Sequence, residues 1–171
     1  MRSFGSNGWL LSDARLEVRL VYSAFLVLVL VGMLTMAAFQ LKHVGPTPER
    51  VAAYYRGGTR GAEMAFPKTF RELVEVTHFH AFIMGLVYLV LAHLFIATRV
   101  RDTVKRIVVV GAFVGLAGDL VGVWLVRYGS AAFAYLLVGS WGLEWVGFGA
   151  FVYYPMQEMW FPHGREGRPP E

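Results

Sequence analysis

Hydrophobic and polar positions divide the chain into four long apolar runs with polar stretches between them. Residues 20–41 carry no charge, and residues 76–98 carry only histidines as ionisable groups. Residues 107–126 hold one charge, Asp119, and residues 131–156 hold one, Glu144. About 20 apolar residues in a helix cross the ~30 Å of a bilayer core, so each run is long enough to span. The pattern predicts an all-α integral membrane bundle of four transmembrane helices over residues 13–42, 70–99, 105–127 and 130–160. A single domain would cover residues 1–163, with 164–171 as a flexible tail.

The polar stretches carry their own signals. "TPERVAAYYRGG" offers Thr47 as N-cap, Pro48 at the first helical position, Glu49 in the first turn and Gly57-Gly58 as a stop. That predicts a short helix on the outer surface, with Tyr54 and Tyr55 at the membrane interface. Thr69 and Glu72 stand at capping-box spacing after Pro67, so the second span should begin near Phe70. The third run carries Gly111, Gly115, Gly118 and Gly122, and the fourth Gly139, Gly142, Gly147 and Gly149. Small residues four apart let helices approach closely, and "RYGS" leaves room only for a tight antiparallel hairpin. Tyr153, Tyr154, Trp160 and Phe161 form an aromatic belt at the far end of the last helix.

Composition sharpens this. Hydrophobic residues make up 56% of the chain, and the mean hydropathy of +0.49 is too apolar for a soluble domain. The formal charge is +4. Its basic residues cluster at Arg2, Arg15 and Arg19, at Arg99, Arg101, Lys105 and Arg106, and at Arg165 and Arg168. With four spans these clusters share one side, which implies a bacterial-type inner membrane with both termini cytoplasmic. The first loop is also basic, but Glu49, Glu63 and Glu72 offset it. The first run is longer than a signal-peptide core and is read as a retained anchor. With no cysteine, disulfides, thiolate zinc sites and cysteine-ligated iron–sulfur clusters are excluded. No phosphate-binding loop, HExxH or nucleophile–base pair is present, and nothing points to nucleic acid.

The candidate chemistry lies in "EVTHFHAFIMGLVYLVLAHLF", where His78, His80 and His93 sit in one span. Helical geometry puts His78 and His80 about 200° apart, and His78 and His93 about 60° apart at roughly 22 Å separation. Ala81, Gly85, Leu89 and Ala92 form a stripe of mostly small residues between His78 and His93. Depth counting suggests an outer layer of His78, His80 and Asp119 and an inner one of His93 and Glu144. Ionisable groups at such depth are costly unless paired, and are candidates for function. A histidine bonded to an acid on a neighbouring helix can equally be structural.

Two imidazoles about 20 Å apart on one helix suit two b-type haems, since imidazole is a common axial ligand. With its four helices and "THFH…AH" spacing, the chain resembles small four-helix b-type cytochrome subunits. Those subunits anchor formate dehydrogenases, nitrate reductases and hydrogenases and pass electrons between quinone and a partner. The resemblance implies haem b or quinone at His78, His80 and His93, with redox subunits or another copy as partners. No second imidazole lies within the bilayer on another helix, so His43, His163, Met156 or another chain would have to complete a haem. The alternatives are a quinone pocket walled by Trp141, Trp145 and Tyr88, an outer copper or zinc site at His78 and His80 with His43 or Asp119, and a structural or assembly subunit.

Overall fold

The computed structural model describes residues 9–60 and 63–161. His163 and the tail expected at 164–171 lie outside the described residues. Four helical stretches, Leu16–Val44, Phe70–Ile96, Asp102–Gly129 and Phe133–Trp160, are each long and apolar enough to cross a membrane. They form an all-α antiparallel bundle: α1 (Leu16–Phe39), α3 (Phe70–Ile96), α4 (Asp102–Trp124) and α5 (Phe133–Trp160), with α2 (Pro48–Arg56) in the first loop. The chain is a multi-pass membrane protein. Val21, Leu28 and Val31 on α1, Phe79, Phe82 and Leu86 on α3, and Val146 on α5 are exposed on the surface that acyl chains cover.

Local signals place the elements. The Thr69 side chain accepts from the Glu72 amide at 3.2 Å, while Glu72 Oε2 accepts from the Thr69 amide at 2.7 Å, so α3 starts at Phe70. Thr69→Ala removes one half of this reciprocal cap and is expected to cost about 1 kcal/mol, read from thermal unfolding in detergent. Thr47 caps α2, Pro48 occupies its first position, and Gly57 ends it at φ +81°. One element has no counterpart in the sequence reading. Gly58–Arg60 (β1) pairs antiparallel with Glu63–Ala65 (β2), with Gly58 opposite Ala65.

The spans differ from expectation mainly at their ends. The helix expected from residue 13 is preceded by a 3-10 turn, Leu11–Asp13, and broken at Ala14 and Arg15, which are extended. The Arg19 guanidinium explains the break: it donates to the carbonyls of Ala14 (2.8 Å), Ser12 (2.6 Å) and Met159 (2.8 Å). One arginine thereby satisfies carbonyls at the start of α1 and near the end of α5. At the other end of the bundle α4 widens into a π turn, Leu125–Gly129. Arg56 of α2 donates there to the carbonyls of Val126 (3.0 Å) and Gly129 (3.2 Å). Arg127 donates to the Lys68 carbonyl at 2.7 Å, tying α4 to the entry of α3.

Packing is uneven. The closest pair is the α4–α5 hairpin. A Cβ on Gly115 would lie 3.0 Å from Glu144 Cγ, and one on Gly147 2.6 Å from the Ala112 Cβ. Gly118 meets Ser140 and Gly122 meets Leu137 in the same way. Gly111, Gly139, Gly142 and Gly149 meet nothing and take no part in the contact. Tyr88, Leu91 and Phe95 of α3 pack with Leu116, Phe148 and Phe151 in the main core, and a second cluster of Val51, Leu73, Val123, Val126 and Leu137 lies under α2. By contrast, Leu26 is the one buried residue of α1. That helix is fastened near its start by Arg19 and by Ser23, whose hydroxyl accepts from Trp160 at 2.8 Å. Beyond these ties it leaves a cleft against α3, α4 and α5.

Candidate functional site

His80 stands where two sections of this cleft meet. Turning once every 3.6 residues, α3 presents His80, Met84 and Val87 on one face, and that face lines the deeper section, of about 320 Å³. Val29, Met33 and Met36 of α1 form the opposite wall, and Leu116, Asp119, Glu144 and Trp145 of the α4–α5 hairpin form the floor. The second section, of about 470 Å³, runs from His80 and Asp119 towards α2, past Trp141 and Val123 to Tyr54, Tyr55 and Lys68. The walls of the deeper section are mostly aliphatic and thioether, while polar groups gather around His80, Asp119 and Glu144 and again at the mouth beside α2.

Hydrogen bonds fix two of those groups. Trp141 Nε1 donates to Asp119 Oδ1 at 2.7 Å across the hairpin. His80 Nδ1 lies 2.9 Å from the Val76 carbonyl one turn back. A carbonyl can only accept, so Nδ1 carries the hydrogen and a neutral His80 keeps a lone pair on Nε2. Glu144 Oε1 is buried and has no hydrogen-bond partner among the described residues, and the same holds for the Tyr88 hydroxyl. Unpartnered buried oxygens are uncommon and call for an explanation.

The mouth beside α2 is also polar. Burial, followed by the charge of Asp119, pushes the Tyr55 phenol well above its ordinary range, so it remains an O–H donor. Burial on its own would depress the Lys68 ammonium. The 3.0 Å hydrogen bond that Lys68 donates to Glu72 Oε1 and that carboxylate's charge outweigh it and hold Lys68 above its usual value.

The residues singled out from sequence are therefore regrouped. His80, Asp119 and Glu144 share one cleft, so the expected separation into an outer and an inner layer does not hold. His78 is exposed and packs edge-on against Phe79 and tilted against Phe82, with ring centres 5.7 and 5.1 Å away. His93 is exposed on the same helix, with Nδ1 bonded to the Leu89 carbonyl at 2.8 Å. His43 is exposed at the end of α1, 4.9 Å from the Phe39 ring. None of these three lines the cleft. The stripe between His78 and His93 makes no close contact at Gly85, where a Cβ would meet nothing, and of its four residues Ala92 alone is buried in the core. Among the described residues, no three His, Cys, Asp or Glu side chains come together as a metal-ligand group.

Trp141, expected from sequence as an aromatic wall of a quinone pocket, is also the hydrogen-bond partner of Asp119, and Tyr55, expected at the membrane interface, stands at the mouth of the cleft. The hairpin register was the available signal for Trp141, since it faces Asp119 across the short turn.

A family model, Aq_1264_TM, described as a transmembrane helical domain, matches residues 45–166, more than two thirds of the chain. The match takes in α2, the β-hairpin and the α3–α5 part of the cleft, and begins after α1. No curated protein matches the chain. No solved structure matches it either.

Proposed function

We propose that this chain, which belongs to that family of transmembrane helical domains, is a redox-associated membrane subunit. It binds a quinone-class carrier in the cleft between α1 and α3–α5. The observation that carries the reading is the placing of His80, Asp119 and Glu144 together in the mostly apolar deeper section of the cleft. Cavities of 300–1,000 Å³ with apolar walls and a few converging polar groups suit small ligands. A lipid-soluble carrier needs this combination, with apolar wall for its tail and ring and polar groups for its two oxygens. α1, with its single buried residue, supplies the side through which such a molecule enters from the bilayer.

Haem b, the other group implied by the sequence resemblance, suits the donor set less well. A bis-histidine iron needs two imidazoles on one cavity, and His80 is the one imidazole lining the cleft among the described residues. His43, His78 and His93 would serve only if another chain supplied the facing ligand. The basic residues Arg15, Arg19, Arg99, Arg101, Lys105 and Arg106 gather at the end opposite α2 and support an inner-membrane orientation with that end cytoplasmic. A redox partner would then dock over α2.

The test is titration of detergent-purified protein with a short-tailed benzoquinone, read from tryptophan fluorescence, beside an absorption spectrum after expression in a haem-replete host. Saturable quenching is expected, and Gly32→Phe should abolish it. Gly32 lines the cleft and a Cβ there meets nothing within 4 Å, so a side chain is accommodated at its root and its ring takes up cleft space. Quenching that does not saturate, or that is unchanged in Gly32→Phe, rules the reading out. A Soret band in the purified protein would move the assignment to haem.

A further inference from the structure

We infer that the cleft selects the reduced, hydroxyl-bearing form of its carrier, a quinol, over the oxidised quinone. This rests on the quinone-class reading above and adds which redox form the site is built to hold.

The argument is one of donors and acceptors. The Val76 carbonyl, 2.9 Å from His80 Nδ1, takes that ring hydrogen, so in the neutral ring the cleft-side nitrogen Nε2 can only accept. The Trp141 indole N–H is likewise committed, to Asp119 Oδ1 at 2.7 Å, and Asp119 keeps its remaining lone pairs. Glu144 Oε1 is without a partner among the described residues. A carboxyl group accepts in either state and, when protonated, donates as well, so it serves both forms, whereas neutral His80 has no donor left to offer. A quinone brings two carbonyl oxygens, which also only accept. Placed against His80, such an oxygen faces another lone pair, and both groups lose their hydrogen bond. A quinol brings two O–H donors, one for His80 Nε2 and one for a carboxyl oxygen of the same layer. The donors that line the cleft elsewhere, the Gln40 amide and the Trp145 indole in one section and Tyr54, Tyr55 and Lys68 in the other, serve either form and do not reverse the difference.

The test compares the two redox forms of one short-tailed benzoquinone, titrated anaerobically against the full chain in detergent, in the wild type and in His80→Phe. The quinol is expected to bind roughly tenfold more tightly than the quinone, the size of one hydrogen bond left unmade. His80→Phe keeps a ring at the position but removes the acceptor, and should bring the two affinities together. Equal binding, or tighter binding of the quinone, overturns the selectivity while leaving the quinone-class reading standing. A quinol preference that persists in His80→Phe overturns the role given to His80. Failure of both forms to bind overturns this inference together with the reading beneath it.

Discussion

Gly147→Leu is expected to break the α4–α5 hairpin and cost about 3 kcal/mol or more, the upper end of what overpacking a well-filled interior costs. At position 147 even a Cβ would lie 2.6 Å from the Ala112 Cβ and 3.2 Å from its Cα. The Cα belongs to the backbone of the facing helix, so relief requires moving that helix. Separating the hairpin also breaks the Trp141–Asp119 hydrogen bond and takes Glu144 and Asp119 off the same floor. Gly149→Leu is the matched control. Gly149 is exposed, a Cβ there meets nothing within 4 Å, and the change should stay within about 0.5 kcal/mol. Thermal unfolding and size-exclusion profiles in the same detergent distinguish the two. Equal behaviour of the variants would show that the hairpin does not depend on the glycine contact.

Among the histidines, His80→Leu is expected to have the dominant effect, weakening binding of the quinol form tenfold or more, by about 1.4 kcal/mol or above. His78→Leu and His93→Leu should leave binding within about twofold, as substitutions away from the site do. The contrast follows from placement: His80 lines both sections of the cleft, whereas His78 and His93 are exposed on other faces of α3. Anaerobic fluorescence titration of the three variants with the reduced form of the same benzoquinone measures it. A loss in His78→Leu or His93→Leu equal to that in His80→Leu would place the ligand outside the cleft.

The hairpin shows how far pattern alone reaches. With only "RYGS" between them, α4 and α5 must run antiparallel in nearly one register. The facing pairs Ala112–Gly147, Gly115–Glu144, Gly118–Ser140, Asp119–Trp141 and Gly122–Leu137 have residue numbers that sum to between 258 and 260. That register follows from the turn, and with it Asp119 could have been set opposite Trp141 before any coordinates. Which glycines make the contact was not legible in the same way. Eight glycines were available on the two helices, and four of them, Gly115, Gly118, Gly122 and Gly147, carry the close approach.

α3 shows where pattern stops. Its 3.6-residue period separates His80 from His78 and His93, but a span that is apolar all round does not say which face meets protein and which meets lipid. The stripe of Ala81, Gly85, Leu89 and Ala92 suggested close approach along the His78–His93 side. In the structure the buried face is that of Tyr88, Leu91 and Phe95, and the cleft face is that of His80, Met84 and Val87.

The sequence by itself determined the four spans, the caps at Thr47 and Thr69, the short helix after Gly45 and the hairpin of α4 and α5. These follow from local chemistry, namely run length, capping spacing and loop length, and need no knowledge of neighbours. Tertiary structure alone decided that α1 stands off from α3, α4 and α5, that His80 faces the resulting cleft, and that Asp119 and Glu144 line it with His80. In a membrane both lipid and protein interior are apolar, so hydrophobicity cannot tell one helix face from the other. Only packing, set here by Arg19 and Ser23 at one end and by the glycine contacts of the hairpin, settles which histidine the cleft receives.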